Sequence, residues 1–194
     1  MAITINGTGS ITGLTAGGLP DGSITTDDLA ANAVTAAKLA AGAGGKILQV
    51  ASSSYATATT QSTGTYADSG LTGSITPVAA GSKILVMVNA LAKTFALNNW
   101  SNGHGAKLLE GSTTLYVTGD EGLGFTGEAA RSSPYGMDMK HYVVINHLYS
   151  PTYTLGDTLS YKIQMRPYYG SSTISVTHQY NDTPSTMQIW EIAA

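Results

Sequence analysis

The chain has 194 residues, enough for one domain of ordinary size plus an appendage, with nine Lys and Arg against twelve Asp and Glu and a net charge of -3. That balance offers no basic footprint for counterion release and argues against a nucleic-acid-binding role. Cysteine is absent, which removes disulfide frameworks, zinc knuckles and thiol nucleophiles, while plentiful Ser, Thr, Gly and Tyr suit a twisted β protein with many turns.

Residues 1–20 open with MAITINGTGSITG, which has neither a basic n-region nor an apolar h-region, so no signal peptide is expected. Residues 21–45 begin with a repeated decapeptide, DGSITTDDLA followed by ANAVTAAKLA, that aligns Ile24 with Val34 and Leu29 with Leu39. Two local structures fit. One is an Ala-rich helix from Asp27 to Ala41, capped by Thr26, with acids in its first turn, Lys38 in its last and Gly42 just beyond. The other is two units, each a short extended piece followed by a helical turn. Ile24, Leu29, Val34 and Leu39 recur every five residues. Such a step advances roughly 140° around a helix and scatters the four side chains, which favours the broken units. An isolated helix of about 15 residues is marginal in water, so the segment needs partners. Parallel copies of the same chain would bring equivalent Ile24, Leu29, Val34 and Leu39 side chains together in layers, making a trimeric stalk; a flexible linker is the plainer alternative.

From residue 46 to residue 194 short β-rich runs alternate with turn residues. Strands are predicted at 46–53, 65–77, 83–95, 106–117, 140–150, 157–167, 172–180 and 186–193, with the 106–117 run read as a hairpin turning at Glu110 to Ser112. No long helix-period segment separates them, which argues for antiparallel sheets. In SYKIQM, Tyr161, Ile163 and Met165 share one face and Lys162, Gln164 and Arg166 the other, the pattern of a sheet with one buried and one wet side. Trp190 alternates like a strand residue and is expected in the core. The fold class is therefore all-β, a C-terminal antiparallel β-sandwich of jelly-roll type behind a short extended or helical stalk. The strongest apolar run, ILVMV at 84–88, is far shorter than the roughly 20 residues that span a bilayer, so no membrane insertion is expected.

The order NGTGSITGLTAGGLPDGSITTDDLAANAVTAAKLA, then GGKILQV, then TYADSGLTGSITPVAAGSKILVMV, and finally STMQIWEIAA resembles the fibre and appendage proteins of tailed bacteriophages over nearly the whole chain. In that family a repeat of the DGSIT and AVTxAKLA kind precedes a terminal β domain whose closing stretch reads EIAA. The resemblance implies a homotrimeric virion protein on the particle exterior, assembled in the host cytoplasm. Residues 1–20 would dock on another virion protein, and the distal β domain would meet a host surface glycan or outer-membrane protein. Many such fibres carry a longer docking region before the repeat, which keeps a capsid decoration, cement or capsid fibre protein as the second reading.

Enzymatic readings are weaker. GLGFTG at 122–127 matches GxGxxG, but EAARSSPYG follows it, and Pro134 and Gly136 stop any helix that could present its N-terminus to a pyrophosphate. It reads as a mobile loop. His141 and His147 share a strand face about 20 Å apart, too far to chelate together, and no His-x-His pair offers iron a site on a symmetry axis. A lone axial His104 or His178 is the remaining metal reading, against an ordinary hydrogen-bonded histidine. No GxSxG elbow is present to anchor a serine hydrolase, and Asp120, Glu121 and Glu128 could supply a glycosidase-type carboxylate pair but without the longer groove-bearing solenoid usual in tailspikes. No catalytic residue, metal or cofactor is assigned. Binding is the expected chemistry, since sugar recognition sets an aromatic face against ring C–H groups and amides or charged groups on the hydroxyls. FALNNWSNGHG offers Asn98, Asn99, Trp100, Asn102 and His104, and RPYYG offers Arg166, Tyr168 and Tyr169, both read as loops.

Overall fold

The computed structural model describes residues 46–96, 102–118, 123–126, 137–168 and 174–194, together with Ile24, Asp27, Leu29, Ala30, Ala33 and Val34. The chain divides into two units, Met1–Gly44 and Gly45–Ala194.

In the first unit, Asp27 lies in a 3-10 turn, and Leu29, Ala30, Ala33 and Val34 are not helical. Ala33 N–H donates to the Ala30 carbonyl at 2.9 Å, closing a single turn. The uninterrupted helix from Asp27 to Ala41 therefore does not form at these positions, where apolar side chains spaced by five would gain no common face. Leu39 lies outside the described residues.

The second unit is all-β and built from antiparallel sheets. Its strands are β1 (Ile47–Tyr55), β2 (Thr59–Gln61), β3 (Ala67–Ile75), β4 (Lys83–Ala96), β5 (Asn102–Glu110), β6 (Thr113–Val117), β7 (Leu123–Thr126), β8 (Met137–Tyr149), β9 (Leu159–Pro167), β10 (Ile174–His178) and β11 (Ser185–Ile192). β4 is the axis of the first sheet. β8 runs along one side of it, from Ile84 opposite Tyr149 to Ala96 opposite Met137. On its other side β11 covers Lys83 to Asn89 and β10 covers Ala92 to Ala96. β10 and β11 are thus successive segments along one flank of β4, separated by a 3-10 turn in which Gln179, Asn181 and Asp182 all take positive φ. β1 and β2 repeat the division one strand further out, pairing with β11 and β10 respectively. The second sheet has the order β3-β9-β5, with β6 and β7 both against the free side of β5.

Alternation explains why these runs are strands. Along β4 every second residue from Ile84 to Ala96 is buried, and in β9 Leu159, Tyr161, Ile163, Met165 and Pro167 are buried while the residues between them are not. The inward residues of both sheets form one cluster: Ile84, Val86, Val88, Val143, Ile145, Met187 and Ile189 from the first, Leu71, Leu108, Tyr161, Ile163 and Met165 from the second. Glu110 pairs with Thr113 across a two-residue turn, and Gly111 at φ 55 fits the first central position of a type II′ hairpin. Gly70, at φ 88 inside the register irregularity of β3, lies under Tyr55, whose ring a Cβ would overlap.

Three expectations are corrected. Asn102 to His104 begin β5 rather than a loop, because their backbone pairs with β7 and β9. Leu123–Thr126, inside the GLGFTG motif, is strand β7 rather than a mobile loop or a phosphate-binding turn. Trp190 is half-buried on the outer face of β11, in register with Val50 and Leu85, because the period of two gives the core face to Met187, Ile189 and Glu191. Among the described residues no helix is long and apolar enough to cross a membrane.

Candidate functional site

The two stretches proposed for binding meet at one end of the second unit. β5 and β9 pair so that His104 opposes Pro167 and Gly105 opposes Arg166, and Tyr168 N–H donates to the Gly103 carbonyl at 2.9 Å. The described ends of β4, β8 and β10 lie at this end too, since Ala96 pairs with both Ile174 and Met137. Asn98, Asn99, Trp100 and Tyr169 lie outside the described residues, as do Asp120, Glu121, Glu128 and the side chain of Asn102.

Arg166 and His104 have opposite fates because they lie on opposite faces of the second sheet. On the outer face, Tyr66 has cations at its ring: Lys107 Nζ is 4.1 Å from the centroid and the Arg166 guanidinium 5.1 Å. Arg166 Nη1 also donates to the Gly64 carbonyl at 3.4 Å, and the missing side chain at Gly105 makes room for the Tyr66 hydroxyl. Sequence reasoning did not single out Tyr66, which precedes β3 and reaches this patch only through the pairing of β3 with β9.

His104 points inward and has no exposed surface. A receptor on the outside cannot touch its ring in this structure. It belongs to a cluster with buried His178 and half-buried His141. Across the first sheet His141, Ala92 and His178 form one row, with Ala92 in register with both histidines. The short side chain of Ala92 leaves space between the flanking rings, and His104 enters it from β5. Its ring centroid lies 4.6 Å from that of His141 and 5.6 Å, edge-on, from that of His178. His141 Nε2 and His104 Nδ1 are 2.9 Å apart and share one hydrogen bond. His104 Nε2, His141 Nδ1 and both nitrogens of His178 are buried with no hydrogen-bond partner.

These surroundings favour neutral rings. Burial, reinforced by the neighbouring His178 and His141, holds His104 well below the ordinary imidazole range. His178 is pushed down to about 4, by burial first and His141 second, and burial lowers His141. The rings stack and cross rather than converge, and among the described residues no group of three His, Cys, Asp or Glu is arranged to hold a metal ion. The cluster was missed because only the neighbours His141 and His147 were compared. A usable signal was present: His104 alternates in phase with Ala106 and Leu108, His141 with Val143 and Ile145, and His178 with Val176 and Ile174, so each histidine is on the apolar face of its strand.

The opposite end carries a second polar group. Tyr149 Oη donates to Glu110 Oε2 at 2.7 Å and lies 2.7 Å from Tyr161 Oη. Burial and this contact raise the Tyr149 phenol, while burial pushes Tyr161 up to about 12. Glu110, Tyr149, Ser150, Thr158 and Ser160 line a cleft of ~720 Å³ beside it.

No protein-family model and no curated protein sequence matches the chain. Among solved structures it is similar to a chain of the T13 viral particle of infectious bursal disease virus, at 13% identity and a TM-score of 0.29 over 75% of this chain and 36% of that one. A mutant VP2 protein of the same virus in T=1 particles gives 13% identity and a TM-score of 0.29, over 77% and 38%. The chain spans little more than a third of those proteins, and a likeness this slight carries no function with it.

Proposed function

We propose that the chain is a structural protein of a phage particle: a homotrimeric tail fibre on the particle exterior, docked through residues 1–20 on another virion protein. Its C-terminal β domain binds a host surface glycan or outer-membrane protein. The observation that carries this reading is the exposure of three described apolar side chains of the first unit. Ile24, Leu29 and Val34 are 52%, 46% and 48% exposed in the single chain, as expected of stalk residues whose partners are other copies.

Further support comes from the second unit. The sheet orders β1-β11-β4-β8 and β3-β9-β5-β6, with a shared core, support reading this unit as a jelly-roll sandwich, a fold used for shells and for surface recognition alike. The outer face of the first sheet carries the cross-strand row Val50, Trp190, Leu85 and Leu148, with Val50 and Leu148 each 53% exposed. Such a row suits contact with another protein. Receptor binding is proposed for the end where Arg166 opposes Gly105 and Tyr168 bonds Gly103, with Tyr66 and Lys107 beside them.

Sedimentation of the full chain tests the assembly: three times the 20.0 kDa protomer mass is expected, and a folded monomer at working concentration overturns the stalk. Replacing Ile24, Leu29, Val34 and Leu39 by Ser should dissociate the trimer while leaving the β domain folded. Purified protein should adsorb to host cells and compete with phage, and loss of adsorption on Tyr66→Ala with Arg166→Ala would locate the site. Electron microscopy of virions carrying a labelled chain separates the tail from a capsid decoration.

A further inference from the structure

We propose that His104, His141 and His178 form an acid-sensitive latch, which holds these ends of the two sheets together while the rings are neutral and releases them when the rings take up protons. The argument begins with the bond between them. A neutral imidazole has one N–H donor and one bare acceptor, so His104 Nδ1 and His141 Nε2 can share a proton at 2.9 Å only if at least one ring is neutral. Doubly protonated, the two rings would aim N–H at N–H. The contact between β5 of the second sheet and β8 of the first must then break.

His178 has no such bond, yet both its nitrogens are enclosed. As a cation it would need acceptors for two N–H groups, and none is bonded to it among the described residues. Its register neighbours are Ala92 and Thr59, and those of His104 are Pro167 and Leu123, none of them ionisable. Among the described residues the charged groups nearby are four cations and two carboxylates. Lys93 and Lys140 lie 4.7 and 5.0 Å from the ring of Tyr180, two residues beyond His178, and Lys107 and Arg166 hold Tyr66 on the outside of the second sheet. Of the two carboxylates described at this end, Asp138 is engaged by Lys93 at 3.0 Å and Asp182 Oδ1 accepts from Ala58 N–H at 3.3 Å. A second or third proton in the cluster therefore meets like charge and a dry wall, and the relief available is for the rings to reach water.

The fold allows that relief to be local. β10 pairs only with the Ala92 to Ala96 part of β4 and with three residues of β2, whereas β11 and β1 hold the far part independently. Opening the histidine end leaves the Ile189 end closed.

Native-state hydrogen exchange on the full chain, compared between pH 7.5 and 5.0 after correction for intrinsic exchange, reads the latch directly. Protection at Ala92 to Thr94, His141 and Val176 to His178 should fall relative to Val86, Ile189 and Glu191. With one to three protons taken up on opening, the local opening constant rises by about 10-fold to about 1,000-fold per pH unit below the free imidazole range. The double variant His104→Leu, His178→Leu should flatten that response. Should this variant not fold at pH 7.5, ring-nitrogen titration of the wild type decides the matter: His104 and His178 must protonate together with the loss of local protection. Rings that titrate in an intact fold, protection that does not change with pH, or simultaneous loss at both ends would each overturn the latch.

Discussion

Glu191, His104 and His178 are ionisable groups with no exposed surface, His141 beside them is half-buried, and the fold treats the carboxylate and the histidines in opposite ways. The Glu191 carboxylate sits where the Val78–Ser82 turn closes over β11. It receives N–H bonds from Val78 at 3.0 and 3.1 Å and from Ala79 at 3.0 Å, a hydroxyl bond from Ser82 at 2.8 Å and an amide bond from Gln49 at 2.7 Å. Burial alone would raise its pKa, but these bonds outweigh burial and hold it below the usual carboxylate value. The histidines have one bond among three rings. A buried charge supplied with donors is an anchor, whereas buried bases supplied with nothing stay neutral and are poised to ionise.

The largest expected effect separates the two most sharply. Glu191→Ala strands several inward-pointing donors and should cost about 4 kcal/mol in urea unfolding at pH 7.5. Glu191→Gln keeps the volume and loses the charge, for about 2 kcal/mol. The acid limbs should differ as well. The histidine pKa values are lowered in the folded state, so their contribution is whole above about 6.5, the unfolded value, and is lost as pH falls toward the folded values, about 4 for His178. That of Glu191, also lowered in the folded state, is present above its unfolded value of 4.5 and disappears only below it. Urea midpoints measured from pH 8 to 3 should therefore fall in two stages, and the variant His104→Leu, His178→Leu should remove most of the upper one. At pH 7.5 that variant should change stability by only about 1 kcal/mol, because two apolar side chains replace rings in which three of the four nitrogens are unpartnered. Least of all, Lys162→Ala, which removes the 3.0 Å ion pair with half-exposed Asp68, should cost under about 0.5 kcal/mol and less still in high salt.

The features legible in sequence were those written by period. β4 and β9 announce themselves because alternation and burial coincide over many residues, and the Glu110–Ser112 turn because Gly sits where positive φ is needed. β2, reading TTQ, is too short and too polar to carry a period; it is a strand because β10 is beside it. LGFT in β7 is likewise defined by its partner β5. Trp190 was misjudged because alternation tells which residues share a face and leaves open which face is inside; the buried Glu191 next to it inverts the expectation from hydrophobicity. The meeting of Arg166 to Tyr168 with Gly103 to Gly105 and the gathering of His104, His141 and His178 are products of pairing between distant strands, which no local pattern encodes.

The turn at Gln179 to Asp182, with three side-chain-bearing residues in the left-handed region, separates what would otherwise be one long strand into β10 and β11. Both lean on β4, which then works as a spine carrying two panels, each sewn by its own ladder and each able to detach without unpicking the other. A molecule made this way can change the surface it presents at one tip while the opposite panel keeps its grip on the spine.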